Sequence, residues 1–387
     1  MPPREPSVPL FALERRDFLV VIGIWATWTA GTLLIASLAA MLPGSTPPAW
    51  GPELTSIAPP LARWDAGWYS SVAQDGYHFD PAAPTNNVRF YPLYPLAMRL
   101  VSATTGLSLF TTGIAISIAS LLLALLILAD LVKRETGPDR IPAVLMSLLF
   151  FPTAFYFAAV YSESFFLLTT LAAFWAARQR RWLLVGIAGA AASLSRLNGV
   201  LILVPVAYLA WRELRERPRA LAGPLAAVGL ILAGAAAYPI FLWRRFGSPL
   251  VYFHIGAGWT HKPTPPWLLA RRVGSEFLAR IRVILDGRSG TFFLCFLTAI
   301  FFIAISVALL FRGPRDGALY AIATMLLLAA SGSIDAFPRY VLPLFPCFML
   351  LGRILYRSAV LSFAYVFLGL GIFGILLHRF VHWLWVA

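Results

Sequence analysis

Charged side chains are scarce in this chain of 387 residues, at 12% against about 25% in a typical soluble domain. Hydrophobic residues reach 59%. One water-facing core of this length cannot bury so much apolar surface, which excludes a soluble fold and calls for a lipid solvent. Cysteine is nearly missing. Cys295 and Cys347 both fall in apolar stretches, form no metal spacing and report nothing on redox compartment. The 5 histidines are scattered. A Gly-rich phosphate loop, a His/Cys metal spacing and a serine nucleophile elbow are all lacking, so no nucleotide site, metal centre or serine hydrolase is indicated. Repeats of fixed period and long low-complexity tracts are lacking too. Apolar stretches of roughly 15–25 residues occupy nearly the whole chain, so residues 1–387 read as a single membrane domain with a short polar tail at 1–16.

What is abundant is basic charge, to a net +14. The arginines fall between apolar segments, which points to orientation in a membrane and not to nucleic acid. Arg15-Arg16 and Asp17 precede the first apolar stretch, Phe18 to Leu42, placing the N-terminus inside. That stretch lacks a small-residue cleavage site and reads as a retained span. Five more basic clusters follow, at Lys133 to Arg140, Arg178 to Arg181, Arg212 to Arg219, Arg312 to Arg315 and Arg353 to Arg357. All lie inside if the chain makes one excursion between neighbours. The expectation is an all-α polytopic membrane protein of about eleven spans. They cover 18–42, 108–132, 141–160, 163–178, 182–195, 198–211, 221–243, 290–311, 317–333, 338–352 and 359–378. Residues 43–107 and 244–289 become two long outer loops, with 90–106 an outer juxtamembrane helix.

This map gathers the chemically unusual residues on the outer side. In Arg63-Trp64-Asp65-Ala66-Gly67-Trp68-Tyr69, continuing to Gln74-Asp75-Gly76-Tyr77, Asp65 reads either as the N-cap of an interfacial helix that Gly76 ends or as a general base among aromatic rings. Phe90-Tyr91-Pro92-Leu93-Tyr94-Pro95 reads as a rigid start to a helix. In Tyr161-Ser162-Glu163-Ser164, Ser162 caps the next span, or Glu163 contacts a sugar hydroxyl or a basic partner. Arg196, in Ser195-Arg196-Leu197-Asn198-Gly199, is costly in a 30-residue apolar run; it is a snorkelling turn residue or a phosphate ligand. Residues 267–286 read as an amphipathic helix bearing Arg272, Glu276 and Arg280, bound to lipid head groups. Arg339, in Asp335-Ala336-Phe337-Pro338-Arg339-Tyr340, pairs with Asp335 or holds a phosphate at a helix start. The substrate-binding candidates are Arg63, Trp64, Trp68, Asp75, Tyr161, Glu163, Arg196, Asn198, His254, Asp335 and Arg339.

Taken in order, Arg63-Trp64-Asp65 with Gln74 to Tyr77, the Phe90 to Pro95 segment, Pro152 with Tyr161 to Ser164, and Ser195 to Gly199 resemble the PIG-V-type mannosyltransferases. Gly247 to Leu250 and Pro338 to Pro343 add to the likeness. The resemblance implies a GT-C-like bundle and an inverting transfer of a sugar, often mannose, from a polyprenyl- or dolichyl-phosphate donor. It makes Asp65, an acid of the first outer loop, the catalytic base. The chain is a short, bacterial-looking form without large insertions, which implies a bacterial cytoplasmic membrane with the active site facing outside. The GPI precursor used by eukaryotic members therefore does not carry over, and the acceptor is an unspecified glycan, lipid or protein. Membrane lipids are the other expected partners. No cofactor is required, and one clear acid gives no reason to invoke a divalent metal.

The chemistry fits a lipid-phosphate leaving group, which needs a base for the acceptor hydroxyl and cations near the phosphate. Asp65 supplies the first; Arg196, Arg339 and Arg272 supply the second. The competing class is a secondary transporter or lipid flippase, which calls for ionisable residues near the bilayer midplane and related halves. A non-catalytic scaffold has no use for an outer-loop aspartate among tryptophans.

Overall fold

A computed structural model describes residues 11–44, 58–83, 85–218, 220–253, 264–280 and 287–386. The expectation for His254 lies outside them. Among the described residues the chain is helical and holds no strand. The α-helices are α1 (Arg15–Ala40), α2 (Asp65–Asp75), α3 (Leu93–Thr105), α4 (Leu109–Thr136), α5 (Ile141–Leu149), α6 (Glu163–Arg178), α7 (Trp182–Ser195), α8 (Leu203–Glu216), α9 (Ala222–Phe246), α10 (Pro266–Arg280), α11 (Gly287–Arg312), α12 (Arg315–Ala329), α13 (Phe337–Tyr340), α14 (Phe345–Leu355) and α15 (Ala359–Val381).

Six helical segments are long and apolar enough to cross a membrane: α1, α4, Leu197–Glu216, α9, Gly290–Arg312 and α15. Two further apolar helices, α7 and α14, are shorter. Their bounds match the corresponding expected spans within a few residues, without establishing the count of eleven, and two of the other expected spans are broken near prolines. The expected span 141–160 is helical only to Leu149. Pro152 has no amide to donate and disfavours a helical residue before it, so residues 150–162 run as turns and a 3₁₀ segment, Ala154–Phe157. Every residue from Ala154 to Ser162 is buried, so this irregular backbone is enclosed by protein and not exposed to lipid. The expected span 338–352 is likewise broken between α13 and α14, where Pro343 falls, and Pro346 sits in the first turn of α14. Residues 90–106 form α3, which at 13 residues is about 20 Å long and too short to span. Gly106 ends it with φ 72°.

The charges of the bundle sort into two layers. In one, Lys133 pairs with Glu14 and Asp17, Arg178 with Glu135 and Asp316, and Arg353 with Glu135. The basic clusters of residues 133–140, 178–181, 312–315 and 353–357 therefore meet in space. The other layer holds Asp65, Glu163, Arg196 and Arg339. Helix α6 links them: Glu163 begins its 16 residues and Arg178 ends them, roughly 22 Å away.

Candidate active site

Four ionic side chains meet at the start of α2, the start of α6, the turn after α7 and the single turn α13. Asp65 is the first residue of α2, and the cap position before it belongs to Trp64, with no side-chain cap. This corrects the N-cap expectation for Asp65. Trp64 carries φ 55°, a conformation that costs a non-glycine residue about 1–3 kcal/mol and persists only where neighbours enforce it. Here they do. The Arg63 guanidinium donates to the carbonyls of Ala58, Pro59, Ala62 and Val381. The Trp64 ring packs against Trp383 and Trp385 at 5.8 and 5.6 Å. With its backbone so held, Asp65 leaves its carboxylate to face across the bundle. Its amide donates to the Tyr161 hydroxyl at 3.2 Å.

Arg339 Nη1 donates to Asp65 Oδ2 at 2.6 Å, and Arg339 Nε lies 3.5 Å from Glu163 Oε1. Arg196 Nη1 lies 2.7 Å from the same Glu163 oxygen and 3.3 Å from Ser162 Oγ. The result is an alternating row: Asp65, Arg339, Glu163, Arg196. Neither Glu163 oxygen nor Arg339 Nε takes part in an aligned hydrogen bond. Close approach without alignment means that Glu163 holds its two arginines by charge and not by directional bonding. Side-chain exposure falls from 15% at Asp65 to 1% at Glu163, so Glu163 is the buried anchor and Asp65 the member nearest open space. Aromatic faces wall the row. Arg339 sits over Tyr156, Tyr161 and Tyr340 at 5.0–5.6 Å, and Arg196 over Phe166 and Tyr340. Such faces favour a cation partly removed from water.

Local sequence explains how each arginine arrives. Thr153 donates to the Pro338 carbonyl at 2.6 Å, tying α13 to the buried irregular segment. At Gly199 an added Cβ would sit 2.1 Å from the Ala192 carbonyl oxygen, so glycine alone lets the turn carrying Arg196 close onto α7. Ser162 stands at the cap position of α6 but makes no side-chain cap. Its hydroxyl instead bridges Arg196 and the Tyr69 hydroxyl, the latter at 2.9 Å.

Of the sequence candidates, Asp65, Tyr161, Glu163, Arg196 and Arg339 are brought together. Arg63 and Trp64 support the loop. Trp68 stacks on Phe90 at 6.1 Å. Asp75 is exposed at the far end of α2, about 15 Å from Asp65 along the helix. Asn198 is half-buried on the 3₁₀ segment Leu197–Ile202. Asp335 accepts from Ser333 at 2.6 Å, while Arg339 turns to Asp65 and Glu163; the expected Asp335–Arg339 pair is not what holds Arg339. Helix α10, Pro266–Arg280, matches the described part of the amphipathic helix expected over 267–286, with Arg272 paired to Glu276; residues 281–286 lie outside the described residues.

Sequence reasoning passed over Tyr69, Arg89, Tyr156 and Tyr340. Burial pulls the Arg89 guanidinium below its ordinary pKa, against the opposing fields of Tyr340, Tyr252 and Asp65. Arg89 is thus a third cation within electrostatic reach of Asp65. Its place one residue ahead of the Phe90 to Pro95 segment was the available signal. Asn86 and Asn87 fix this loop through Asp80, His78 and Gly76. Among the described residues no three His, Cys, Asp or Glu side chains cluster as metal ligands; the site's acids, Asp65 and Glu163, each face arginine.

The bundle is similar to solved structures of ArnT from Cupriavidus metallidurans. The form bound to undecaprenyl phosphate aligns with TM-score 0.51 and 18% identity, covering 91% of this chain and 63% of that one. The apo form gives 0.54 and 17%, covering 90% and 63%. The fold is therefore that of the GT-C membrane glycosyltransferases. The family model described as mannosyltransferase (PIG-V) matches residues 52–221, a segment containing Asp65, Glu163 and Arg196 but not Arg339, and the likeness to that family read from the motifs stands. GPI mannosyltransferase 2 of Drosophila melanogaster is 27% identical over 174 residues, 40% of this chain and 36% of that protein. The match thus spans about a third of the relative's length.

Proposed function

We propose that this chain is an inverting glycosyltransferase that moves a sugar, mannose by family likeness, from a polyprenyl-phosphate donor to an acceptor hydroxyl at the outer face of a bacterial-type cytoplasmic membrane. The carrying observation is the partly exposed Asp65 carboxylate, held by Arg339 at 2.6 Å beside the rings of Tyr156, Tyr161 and Tyr340. In the proposed step the acceptor oxygen attacks the anomeric carbon as Asp65 takes its proton. The bond from that carbon to the phosphate oxygen breaks, and the polyprenyl phosphate leaves with the electron pair. A single displacement inverts the anomeric centre. Arg339, with Arg196 and Arg89 nearby, offsets the charge on the departing phosphate. Arg339 suits this role because its planar fork can hold two phosphate oxygens. The lipid phosphate bound in the similar ArnT structure supports the donor class, and the PIG-V likeness supports the sugar.

The test is transfer by purified protein from polyprenyl-phosphate mannose to hydroxyl acceptors, with the product's anomeric configuration read by NMR. Inverted product that disappears in Asp65→Asn is the expected result. Movement of intact lipid-linked sugar across vesicles, with no transfer to glycan, lipid or peptide acceptors, would replace the enzyme with a flippase.

A further inference from the structure

The layer opposite the candidate site contains a feature that the transfer reaction does not use. Two adjoining clefts, each of about 440 Å³, open where α4, α11 and α14 end. The first is lined by Glu135, Thr136, Arg140, Arg353, Tyr356 and Arg357. The second is lined by Arg312, Leu350, Arg353, Ile354 and Arg357. Arg353 and Arg357 line both. Each volume lies within the about 300–1,000 Å³ of ordinary ligand sites.

Charge in these clefts is unbalanced. Glu135 is the one acid on their walls, and two arginines already claim it: Arg353 Nη2 at 2.9 Å, and Arg178 from α6. Arg178 is also held by Asp316 at 2.9 Å. Arg140 donates to the Thr136 carbonyl and stands over the Tyr356 ring at 5.5 Å. That leaves Arg312 and Arg357, both exposed and neither within ion-pair reach of a carboxylate among the described residues. Several guanidinium groups thus converge on space that one engaged carboxylate cannot neutralise, and their mutual repulsion is relieved by an incoming anion.

The walls also say what kind of anion. The second cleft sets Leu350 and Ile354 beside its arginines, with Ile354 37% exposed. It opens at the ends of the apolar helices α11 and α14, where a membrane-spanning bundle meets head groups. A soluble anion has no use for the apolar wall, whereas a phospholipid places its phosphate on the guanidinium groups and its chain on the isoleucine side. We propose that the paired clefts around Arg353 and Arg357 bind the phosphate of an anionic phospholipid, as a site separate from the transfer centre. This does not depend on the proposed catalytic activity.

The experiment titrates the purified full chain in detergent with dioctanoyl-phosphatidylglycerol, dioctanoyl-phosphatidylcholine and inorganic phosphate, reading bound ligand by native mass spectrometry. The anionic lipid should bind about tenfold tighter than the zwitterionic one, since each nearby arginine adds a measurable increment. The double substitution Arg312→Gln with Arg357→Gln should abolish that preference. Both side chains are exposed and orphan no carboxylate, so folding is preserved. Arg212→Gln with Arg215→Gln removes the same charge elsewhere and should leave the preference intact. Equal affinity for the two lipids in the wild-type chain overturns the proposal without any variant. Equal loss in both double variants reduces it to diffuse surface charge. Inorganic phosphate competing as well as the anionic lipid would overturn the lipid assignment in favour of a free anion.

Discussion

Arg339 reaches the Asp65 carboxylate at 2.6 Å across 274 positions of sequence. In this arrangement the oxygen that a general base needs is occupied by a cation. On the proposed mechanism a donor phosphate, with two anionic oxygens to offer, competes for the Arg339 fork. As Arg339 turns towards the phosphate, Asp65 regains a lone pair for the acceptor hydroxyl. The same arginine thus guards the base while the site is empty and serves the leaving group when it is filled, and the row of alternating charge keeps the site near neutrality throughout.

The first prediction concerns Asp65. Asp65→Asn retains size and leaves the backbone bond to Tyr161, but it weakens the ion pair to Arg339, so its unfolding midpoint should fall and rates are compared on the folded fraction. Turnover should fall about 10²–10⁴-fold, the usual contribution of a general base. Asp75→Asn, at the exposed far end of α2, should turn over normally. Steady-state transfer rates on matched folded protein check both. Normal rates for Asp65→Asn would remove the base.

Arg339→Lys tests the guanidinium itself. Lysine keeps the charge but cannot hold two oxygens in a planar fork. Activity should fall tenfold or more, by about 1.4 kcal/mol of transition-state stabilisation, with the loss mainly in kcat. Rates within twofold of wild type would take Arg339 away from the leaving phosphate.

These two residues also show where sequence reading succeeds and stops. Helices α6 and α7 were legible to the residue, because an acid at Glu163 and basic residues at Arg178 and Arg181 bracket apolar runs. The segment after Leu149 was not legible. It is as apolar as a span, and a buried irregular backbone has the same composition as a buried helix; only Pro152 hints at the break. Asp65 was singled out by the motif likeness, which places a base in the first outer loop; its local pattern alone left it open between an N-cap and a base. Its partner was not, because local spacing offered Arg339 a nearer acid, Asp335, and no local signal reports a contact 274 positions away. Arg63 was read as a ligand for substrate, yet its donors go to backbone carbonyls around a strained Trp64, a use no side-chain pattern announces.

Gly199→Ala should destabilise the fold by about 1–3 kcal/mol, because overpacking against rigid backbone has nowhere to relax. The new Cβ would meet the Ala192 carbonyl carbon and oxygen and the Ser193 nitrogen, all within 2.6 Å. Thermal unfolding in one detergent checks this. Gly229→Ala, where nothing lies within 4 Å of an added Cβ, is the matched control and should be neutral or slightly stabilising. Equal melting of the two variants would show that the turn carrying Arg196 is looser than its geometry implies.

Orientation is a separate expectation. A single cysteine at Thr85 should react with an impermeant thiol reagent on intact cells, and one at Gln179 should not. The two positions belong to opposite charge layers, so they cannot both label if the bundle spans once in a fixed orientation. Labelling at Gln179 alone would turn the site to the inner face and exclude an outer-face donor.

Glu163 carries the last prediction. It is the buried member of the row, facing Arg196 at 2.7 Å and Arg339 at 3.5 Å. Glu163→Gln keeps its shape but leaves two arginines with only Asp65 between them. Removing one partner of a buried ionic set costs about 3–5 kcal/mol, because the remaining charge stays desolvated without compensation. Arg196→Gln alone should also destabilise, by stranding the Glu163 carboxylate beside Arg339 only. Combining the two removes a matched pair of opposite charges, so the double variant should be clearly more stable than the sum of the single losses predicts. Unfolding midpoints of the four proteins in one detergent give the coupling directly. A coupling within about 0.5 kcal/mol of zero would mean that Glu163 and Arg196 are screened from each other, and that the row does not act as one electrostatic unit.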